Sequence, residues 1–369
     1  MNPRRWTLCL AGAGHVGSGF LAILQNRRDE LAVKYGIDLR VTAVAEYGGC
    51  AVDPVGLDIG EVLAALRAGR PLGEIPVNGR RGMTSRQMIE ECGADFLLEA
   101  TPVNLIDGEP GLSAVCTALR QGMHVVLANK GPLALAYREI IAMSDLADGW
   151  GSVYAPNGGG VSRPPRLRFS ATVAGALPVL NIGRRDLAGD RIVRIEGVFN
   201  GTTHSILRAM EGGLCFDEAL ADAQLRGIAE TDPALDIDGH DSASKLIITA
   251  NAVLGLSATH ADVAITGIRR LDRAKVAESQ AGGGRLVLLC LASHQDDGRY
   301  CLSVEPTTLP ADHPLARLAP DEMGVVFYTD HINRLSGASL EPGPGPASAA
   351  MLRDVVDIVW SETCQTAHS

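Results

Sequence analysis

The sequence has few aromatic residues, no long apolar run and no cluster of basic residues. Aromatic residues make up 4% of the 369 residues, and 33 Lys and Arg oppose 43 Asp and Glu, which gives a net charge of −10. No segment reaches the roughly 18 apolar residues that a membrane-spanning helix needs. A net negative chain disfavours nucleic acid and anionic membranes as partners, and the first residues lack the pattern of a cleaved signal. We therefore predict a soluble cytoplasmic protein without nucleic-acid or membrane partners.

Cysteine motifs that bind zinc or form a disulfide framework are also missing. None of the eight cysteines belongs to a Cys-x-x-Cys pair; they stand at positions 9, 50, 92, 116, 215, 290, 301 and 364. Scattered cysteines of this kind are typical of a reducing compartment, and we expect core or surface thiols. We likewise expect His15, His204 and His240 to face solvent or to be satisfied in the core.

Glycine, in contrast, is abundant, with 42 residues and no three-residue period. A strand-length apolar segment, residues 7–11, leads into Gly12, Gly14 and Gly17, and a helical segment follows. This is the order of the dinucleotide-binding fingerprint, whose glycines permit a tight turn, close approach of the pyrophosphate and close helix–strand packing. The helix N-terminus supplies N–H groups for the phosphates. An ordinary glycine turn is the alternative interpretation.

Glu46 bears on the choice between NAD and NADP. It ends a second predicted strand, residues 39–45, where such folds place an acid that binds the adenosine ribose hydroxyls. An acid there repels a 2′-phosphate, and Gly48 and Gly49 follow in place of a cation that could bind one. The sequence thus favours NAD, with a solvated surface glutamate as the alternative.

Two further strands are predicted at residues 94–100 and 124–128, with a helix at 111–121 between them. Strands that alternate with helices imply a parallel α/β sheet. Thr101 and Asn129 follow directly after these strands, where open sheets place their ligands. Lys130 is either a cation at the nicotinamide end of the site or a surface lysine.

An acidic segment in the middle of the chain is the second candidate site. Residues 227–241 contain five acids and precede an apolar helix. Asp241 and Lys245 are four residues apart and share one helix face. Such a pair is usually exposed and weak, but the apolar neighbours of Lys245 also allow a partly buried lysine suited to acid–base chemistry. The Gly- and Pro-rich residues 155–165, interpreted as a linker or loop, separate this region from the first domain.

These residues together resemble the homoserine dehydrogenase family. Residues 223–245 satisfy its signature, Ala-x3-Gly-[apolar]-[small]-x2-[Asp/Asn/Ser]-Pro-x2-Asp-[aliphatic]-x-Gly-x-Asp-x3-Lys. Further segments similar to the family are residues 12–17, 99–104, 128–130, 171–175, 200–203 and 352–354. The resemblance covers nearly the whole chain.

The resemblance implies an α/β fold with a Rossmann nucleotide-binding domain over residues 1–150. It also implies a central α/β catalytic and dimerisation domain over residues 151–325 and a C-terminal segment, 326–369, that returns to the first domain. The reaction would be NAD(P)-dependent interconversion of L-homoserine and L-aspartate 4-semialdehyde in threonine, methionine and isoleucine biosynthesis, by a homodimer. The chain is similar to the short form of the family, so threonine feedback through an appended amino-acid-sensing domain is not expected.

The resemblance also implies a role for each matching residue. Lys130 and Lys245 would be the active-site lysines, and we favour Lys245 for the proton relay. The expected substrate-binding residues are Thr202, Glu230, Asp236 and Asp241. The expected cofactor-binding residues are Gly12, Gly14, His15, Val16, Gly17, Glu46, Thr101, Pro102, Asn129, Lys130 and Gly343. The backbone carbonyls of Val173, Gly175 and Leu177 could hold a sodium ion.

Four departures from the family pattern bear on the substrate. His204 replaces a usual asparagine, and Ser170 replaces an acid that commonly precedes the Ala-Thr-Val segment. Residues 155–165 resemble an insertion, and residues 342–346 replace a glycine turn that has less proline. These departures keep open a relative that oxidises another small amino alcohol, and a catalytically silent NAD-binding regulator is a third hypothesis. A semialdehyde dehydrogenase is excluded, because Cys116 lacks the neighbouring base that a cysteine nucleophile needs.

Overall fold

The computed structural model describes residues 3–147 and 164–366, which divide into two compact units. The first unit takes in the described chain up to Thr172 and again from Pro344, and the second is Val173–Gly343. No helix among these residues is both long and apolar enough to cross a membrane. The seven cysteines whose side chains are described are free thiols, as predicted.

The first unit is a mostly parallel sheet interleaved with helices. Its strands are β1 (Arg4–Ala11), β2 (Ile37–Glu46), β3 (Gly49–Val52), β4 (Gly79–Arg81), β5 (Phe96–Glu99), β6 (His124–Leu127) and β7 (Leu167–Arg168). Its helices in this part of the chain are α1 (His15–Tyr35), α2 (Ile59–Arg67), α3 (Ser85–Cys92), α4 (Gly111–Arg120) and α5 (Gly131–Ala142). The strand order is β4-β3-β2-β1-β5-β6-β7, with β3 and β4 antiparallel to their neighbours and the rest parallel. The predicted Rossmann-type sheet is confirmed.

Burial explains why the central strand is apolar on both faces. Leu8, Cys9 and Leu10 of β1 are fully buried, because helices cover both faces of a doubly wound sheet. Helix α1 packs on this sheet through Phe20 and neighbouring apolar residues and ends at Gly36, whose left-handed backbone closes the last turn. The first strand and helix therefore hold the glycine turn between them rigidly.

The second unit is a mostly antiparallel sheet with helices packed against it. Its strands are β8 (Ile192–Val198), β9 (Val263–Ile265), β10 (Gly284–His294), β11 (Tyr300–Pro310), β12 (Glu322–Thr329) and β13 (Arg334–Leu340). Its helices are α6 (Val179–Asn181), α7 (Gly201–Glu211), α8 (Phe216–Leu225), α9 (Ala234–Ile237), α10 (His240–Leu254) and α11 (Arg273–Ala281). The order is β13-β12-β8-β10-β11-β9, and only β9 runs parallel to its neighbour.

The turn between α9 and α10 positions the acidic segment. Gly239 has a φ of 88°, and a Cβ atom there would lie 3.1 Å from the Ile265 side chain, so the turn requires glycine. Helix α10 is buried along most of its length and carries Asp241 and Lys245 into the interior of the unit. The predicted apolar helix after the acidic segment is confirmed.

The C-terminal helix α12 (Gly345–Thr366) completes the first unit. The Ser348 hydroxyl donates to the carbonyl of Val16 in α1 at 2.8 Å. The backbone N–H and the hydroxyl of Ser170 donate to the two carboxylate oxygens of Asp354 at 2.8 and 2.7 Å. Asp354 is fully buried, and burial raises its pKa to about 6 although the bonds from Ser170 act in the opposite direction. Ser170, a departure from the family pattern, therefore serves to anchor α12.

The boundaries between the two units differ from the domain boundaries expected from the sequence. The expected boundary after residue 150 lies at Thr172, because β7 pairs with β6 and belongs to the first sheet. The expected boundary after residue 325 lies at Gly343, because β12 and β13 complete the second sheet. Residues 155–163 of the predicted linker lie outside the described residues.

Candidate active site

The turn after β1 has the geometry that a dinucleotide requires. Gly12 has a φ of 87°, and a Cβ atom there would lie 2.5 Å from the Ala100 carbonyl oxygen. A Cβ atom at Gly17 would lie 2.1 Å from the Gly12 oxygen, so this residue brings the helix close to the turn. Gly14 is exposed and has no atom within 4 Å of the position of a Cβ atom. Packing explains two of the glycines, and the open space at Gly14 is available to a ligand.

Glu46 is fixed beside this turn. Its Oε2 atom accepts a hydrogen bond from the Ala13 N–H at 2.6 Å, and Oε1 accepts one from the Tyr47 N–H at 3.0 Å. Glu46 lines two adjacent grooves of the first unit: one runs past Gly14 and His15, and the other past Thr101 and Pro102. Arg67, at the end of α2, lines the first groove and is a cation that the sequence analysis missed.

A buried acid holds the residues after β5 and β6. Glu99 has no exposed surface, and its Oε1 atom accepts the Thr101 N–H at 2.9 Å. Asn129 donates to the Thr101 hydroxyl at 3.2 Å and accepts the Gly131 N–H at 2.9 Å. Burial raises the pKa of Glu99 to about 7, although bonds from Thr101 and Asn129 oppose the rise. Half-buried Lys130 precedes α5 directly, so this network fixes the backbone around it.

The second unit contains a cavity of about 570 Å³. It is formed by the start of α7, the acidic segment, α10 and the residues that flank β12 and β13. Its lining residues are Asn200, Gly201, Thr202, Ser205, Arg226, Gly227, Ile228, Asp236, Asp241, Lys245, Pro320, Asp321, Glu341, Pro342 and Gly343. Charged and polar side chains thus surround most of this cavity.

Lys245 forms a buried ion pair at the edge of the cavity. Its Nζ atom lies 2.9 Å from Asp241 Oδ2 and donates to the Phe199 carbonyl at 2.6 Å, and 14% of its side chain is exposed. Burial lowers the pKa of a lysine, but the charge and hydrogen bond of Asp241 and the charge of Asp236 outweigh burial and raise it. The alternative of an exposed pair is wrong, and Lys245 is an ammonium group at neutral pH.

Asn200 connects the two aspartates of the cavity. Its Nδ2 atom donates to Asp236 Oδ1 at 2.6 Å and to Asp241 Oδ2 at 2.7 Å. Its Oδ1 atom accepts the Thr203 N–H at 2.8 Å and caps the start of α7. One buried amide therefore holds two carboxylates and a helix terminus in fixed positions.

The structure brings together some of the predicted site residues and leaves others apart. Thr202, Asp236 and Asp241 line the cavity with Lys245, whereas Glu230 is exposed and is not among the described residues of the lining. Gly343, expected to bind the cofactor, also lines this cavity.

The predicted cofactor residues lie around the glycine turn and its two grooves. Val16 is half-buried in α1, and Asn129 is buried behind Thr101. His15 and His240 are exposed, and His204 is buried with its Nε2 atom 2.9 Å from the Ala319 carbonyl oxygen. The exposure of His15 and His240 agrees with the expectation, whereas His204 is satisfied only at Nε2, because its buried Nδ1 atom has no hydrogen-bond partner among the described residues.

Sequence reasoning missed five polar residues besides Arg67: Glu99, Asn200 as a bridge, Arg226, Asp321 and Glu341. The sequence offered a signal for Asn200, because this residue begins segment 200–203, which is similar to the family. Asp321, directly before β12, and Glu341, directly after β13, had no such signal, because no short spacing connects them to the acidic segment.

The chemistry of these groups defines a class of enzyme. The glycine turn and Glu46 suit a dinucleotide, and a lysine beside a carboxylate can exchange a proton with an alcohol. Oxidation of an alcohol by hydride transfer to a nicotinamide requires a site for the dinucleotide and a group that accepts the hydroxyl proton, and the chain offers a candidate for each. The chain is an NAD(P)-dependent oxidoreductase.

Comparison with known proteins gives the family. The family model described as homoserine dehydrogenase matches residues 178–356. A homoserine dehydrogenase of Methanocaldococcus jannaschii is 35% identical over 95% of this chain and 98% of its own. An NAD(+)-dependent homoserine dehydrogenase of Pseudomonas canavaninivorans is 33% identical over 99% of both chains. A solved homoserine dehydrogenase structure from Thiobacillus denitrificans is 28% identical, with a TM-score of 0.79 over 98% of this chain and 74% of that one. The chain belongs to the homoserine dehydrogenase family.

Proposed function

We propose that the chain oxidises L-homoserine reversibly to L-aspartate 4-semialdehyde, with Lys245 as the group that exchanges the proton of the substrate hydroxyl. The observation that carries this proposal is the Lys245–Asp241 pair, which lines the cavity and is held by Asn200. Bound NAD would accept the hydride from the carbon that carries the hydroxyl. Lys245 takes up the hydroxyl proton during oxidation and returns it to the carbonyl oxygen during reduction.

Other residues hold the substrate and assist the transfer. Asp236 and Thr202 line the cavity next to the pair and bind polar groups of the substrate. Lys130, at the N-terminus of α5, stabilises negative charge at the reacting oxygen. We keep Glu230 as a substrate ligand on the family resemblance alone, since it is exposed in the described structure.

Steady-state kinetics with homoserine, its analogues and both cofactors test the function. We expect L-homoserine to have the highest kcat/KM of a panel of small amino alcohols. A higher value for another amino alcohol would assign the enzyme to a different substrate, and binding of NAD without turnover of any alcohol would indicate a regulator.

The oxidation should be favoured by alkaline conditions. Lys245 must be neutral to accept a proton, and its raised pKa makes the neutral form scarce at pH 7. We therefore expect kcat/KM for homoserine oxidation to rise with pH between 7 and 10, whereas semialdehyde reduction should not require high pH. A flat oxidation profile over this range would exclude Lys245 as the proton acceptor.

We also propose that NAD is preferred over NADP. Glu46 presents a carboxylate beside the glycine turn and is held there by two backbone N–H groups. The Glu46 carboxylate would repel the 2′-phosphate of NADP, and Arg67 in the same groove would offset part of this repulsion. The relative from Pseudomonas canavaninivorans is named NAD(+)-dependent.

Glu46→Ser should lower the preference for NAD. We expect the ratio of kcat/KM for NAD to that for NADP to exceed about 10 in the unmodified enzyme and to fall at least tenfold in the variant, because repulsion of the 2′-phosphate is removed. Glu30→Gln, on the exposed surface of α1, serves as the control and should leave the ratio unchanged. An unmodified enzyme that prefers NADP would contradict the role given to Glu46.

Sodium is the second cofactor that the resemblance implies, and the residues fit it only in part. The Leu177 carbonyl already accepts the Val179 N–H at 2.8 Å, which leaves the carbonyls of Val173 and Gly175 as the better candidates. The mechanism proposed above has no step through sodium. Loss of activity when choline chloride replaces sodium chloride at equal ionic strength would indicate a bound cation.

We propose a homodimer formed through the second sheet. Cys290 of β10 faces α10, and on the opposite face Leu289 packs against the short turn Pro314–Arg317 among the described residues of the second unit. Leu291 and Tyr328 beside this turn are half-buried apolar residues that a second copy could cover. Light scattering on the purified enzyme should give twice the mass of the chain. We further propose that the enzyme works in the cytoplasm, which cell fractionation would test.

A further inference from the structure

Glu341, directly after β13, is an acid of the cavity to which the proposed reaction gives no task. The carboxylates of the described lining belong to Asp236, Asp241, Asp321 and Glu341, and its cations are Arg226 and Lys245. Lys245 is paired with Asp241, and exposed Arg226 is paired with Asp222 at 3.3 Å. The cavity thus has more negative than positive charge available to a ligand.

The Glu341 carboxylate is held in one position by its neighbours. Its Oε1 atom accepts the Ala176 N–H at 3.0 Å and the Ser339 hydroxyl at 2.8 Å. A Cβ atom at residue 175 would lie 2.0 Å from Oε2, so the carboxylate fits only because this residue is glycine. The Glu341 N–H also donates to the Asp321 carbonyl at 2.9 Å. Glu341 is therefore a fixed part of the cavity wall and not a mobile surface acid.

The surroundings of Glu341 penalise its charge in the absence of a ligand. Burial raises its pKa, while the hydrogen bonds from Ser339 and Ala176 and the charge of Lys245 act in the opposite direction. The Lys245 ammonium is hydrogen-bonded to Asp241 and can compensate Glu341 only partly. A cationic group that enters the cavity would relieve this penalty, because it stabilises the ionised carboxylate.

We propose that Glu341 binds the ammonium group of the substrate and thereby selects amino alcohols over hydroxy acids that lack this group. This inference rests on the proposed function, in which the substrate is an amino acid with a terminal hydroxyl. In this arrangement Lys245 exchanges the proton of the substrate hydroxyl, and Glu341 binds the substrate ammonium group. A carboxylate held by two donors on one oxygen presents its charge in a fixed direction, which favours discrimination over flexible attraction.

Glu341→Gln separates charge from shape. The glutamine Oε1 atom can still accept the Ala176 N–H and the Ser339 hydroxyl, so the wall is preserved while the negative charge is lost. Calorimetry on NADH-saturated enzyme, which cannot accept a hydride from the alcohol, would measure the Kd of L-homoserine and of 4-hydroxybutyrate, which is homoserine without its ammonium group. We expect homoserine to bind 10- to 100-fold more weakly and 4-hydroxybutyrate to change less than twofold. The kinetic loss should appear mainly in KM.

Two results would overturn the proposal. Equal weakening of both ligands would show that Glu341 only fixes the wall, and unchanged binding of both would show that it is not a ligand. Asp296→Asn, in the exposed turn after β10, is the matched control and should alter neither Kd. If the unmodified enzyme binds homoserine but does not oxidise it, the proposed function fails while the ligand preference can still be measured. Thermal melting would confirm that each variant is folded.

Discussion

Lys245→Ala is expected to lower kcat for homoserine oxidation at least about a thousandfold. The variant loses the group that exchanges the hydroxyl proton, and general acid–base catalysis contributes factors of about 10² to 10⁴. Homoserine should still bind, since Glu341 and Asp236 remain in the cavity. Stopped-flow or steady-state measurement of NADH formation at saturating homoserine would give the loss in kcat separately from any change in KM.

The stability of this variant needs a control, because Asp241 would stay buried without its partner. Breaking a buried ion pair on one side costs about 3–5 kcal/mol in general, although access from the cavity should reduce that cost here. Lys245→Met combined with Asp241→Asn removes both charges and should be folded but inactive. Lys275→Ala, which breaks an exposed pair with Glu278, should retain full activity. A folded double variant that oxidises homoserine at the original rate would exclude the mechanism.

Asn200→Asp is expected to have the second largest effect, a loss of about 10²- to 10³-fold in kcat/KM. Aspartate has nearly the shape of asparagine and can still cap α7 through the Thr203 N–H. It cannot donate to Asp236 and Asp241, which lie 2.6 and 2.7 Å from the asparagine nitrogen. Three carboxylates in contact repel one another, so protons will be retained on them at higher pH than in the unmodified enzyme.

The pH profile distinguishes this positioning role from a loss of structure. For semialdehyde reduction, which does not require neutral Lys245, we expect the acidic limb of the kcat/KM profile to move to higher pH in Asn200→Asp, because shared protons must leave before the site regains its charges. Asn200→Ser keeps a helix cap without adding charge, and its acidic limb should not move. Combining Asn200→Asp with Asp236→Asn restores one amide-to-carboxylate hydrogen bond and should recover part of the activity. Identical profiles for all variants would contradict the role of Asn200 as a bridge.

Local patterns were sufficient to predict four parallel strands and two helices of the first unit. The strand before Gly12, the helix after it and the parallel strands that end at Glu99 and Leu127 all have short-range signals. Apolar runs of strand length and a glycine turn between them depend on neighbours in sequence, so they can be recognised without the fold. The domain boundaries were displaced, because the pairing of β7 with β6 is a long-range contact without a local signal.

The cavity was predictable only where its residues are close in sequence. The spacing of Asp241 and Lys245 indicated a shared helix face. Their burial results from the packing of α10 against the rest of the unit, which this spacing does not predict. Glu341 lies near the C-terminal end of the second unit in sequence, and its contacts with Ala176 and Asp321 place it in the same cavity. Glu230 shows the opposite case, since it lies within the signature and yet is exposed.

The discontinuous first unit constrains the order in which the protein is made. Ribosomal synthesis proceeds from the N-terminus, so Val173–Gly343 emerges as one uninterrupted segment before α12 emerges. Until then the nucleotide-binding unit lacks the helix that contacts α1 through Ser348 and buries Asp354 against Ser170. The second unit can therefore fold from one uninterrupted segment, whereas the first unit becomes complete only after α12 has left the ribosome.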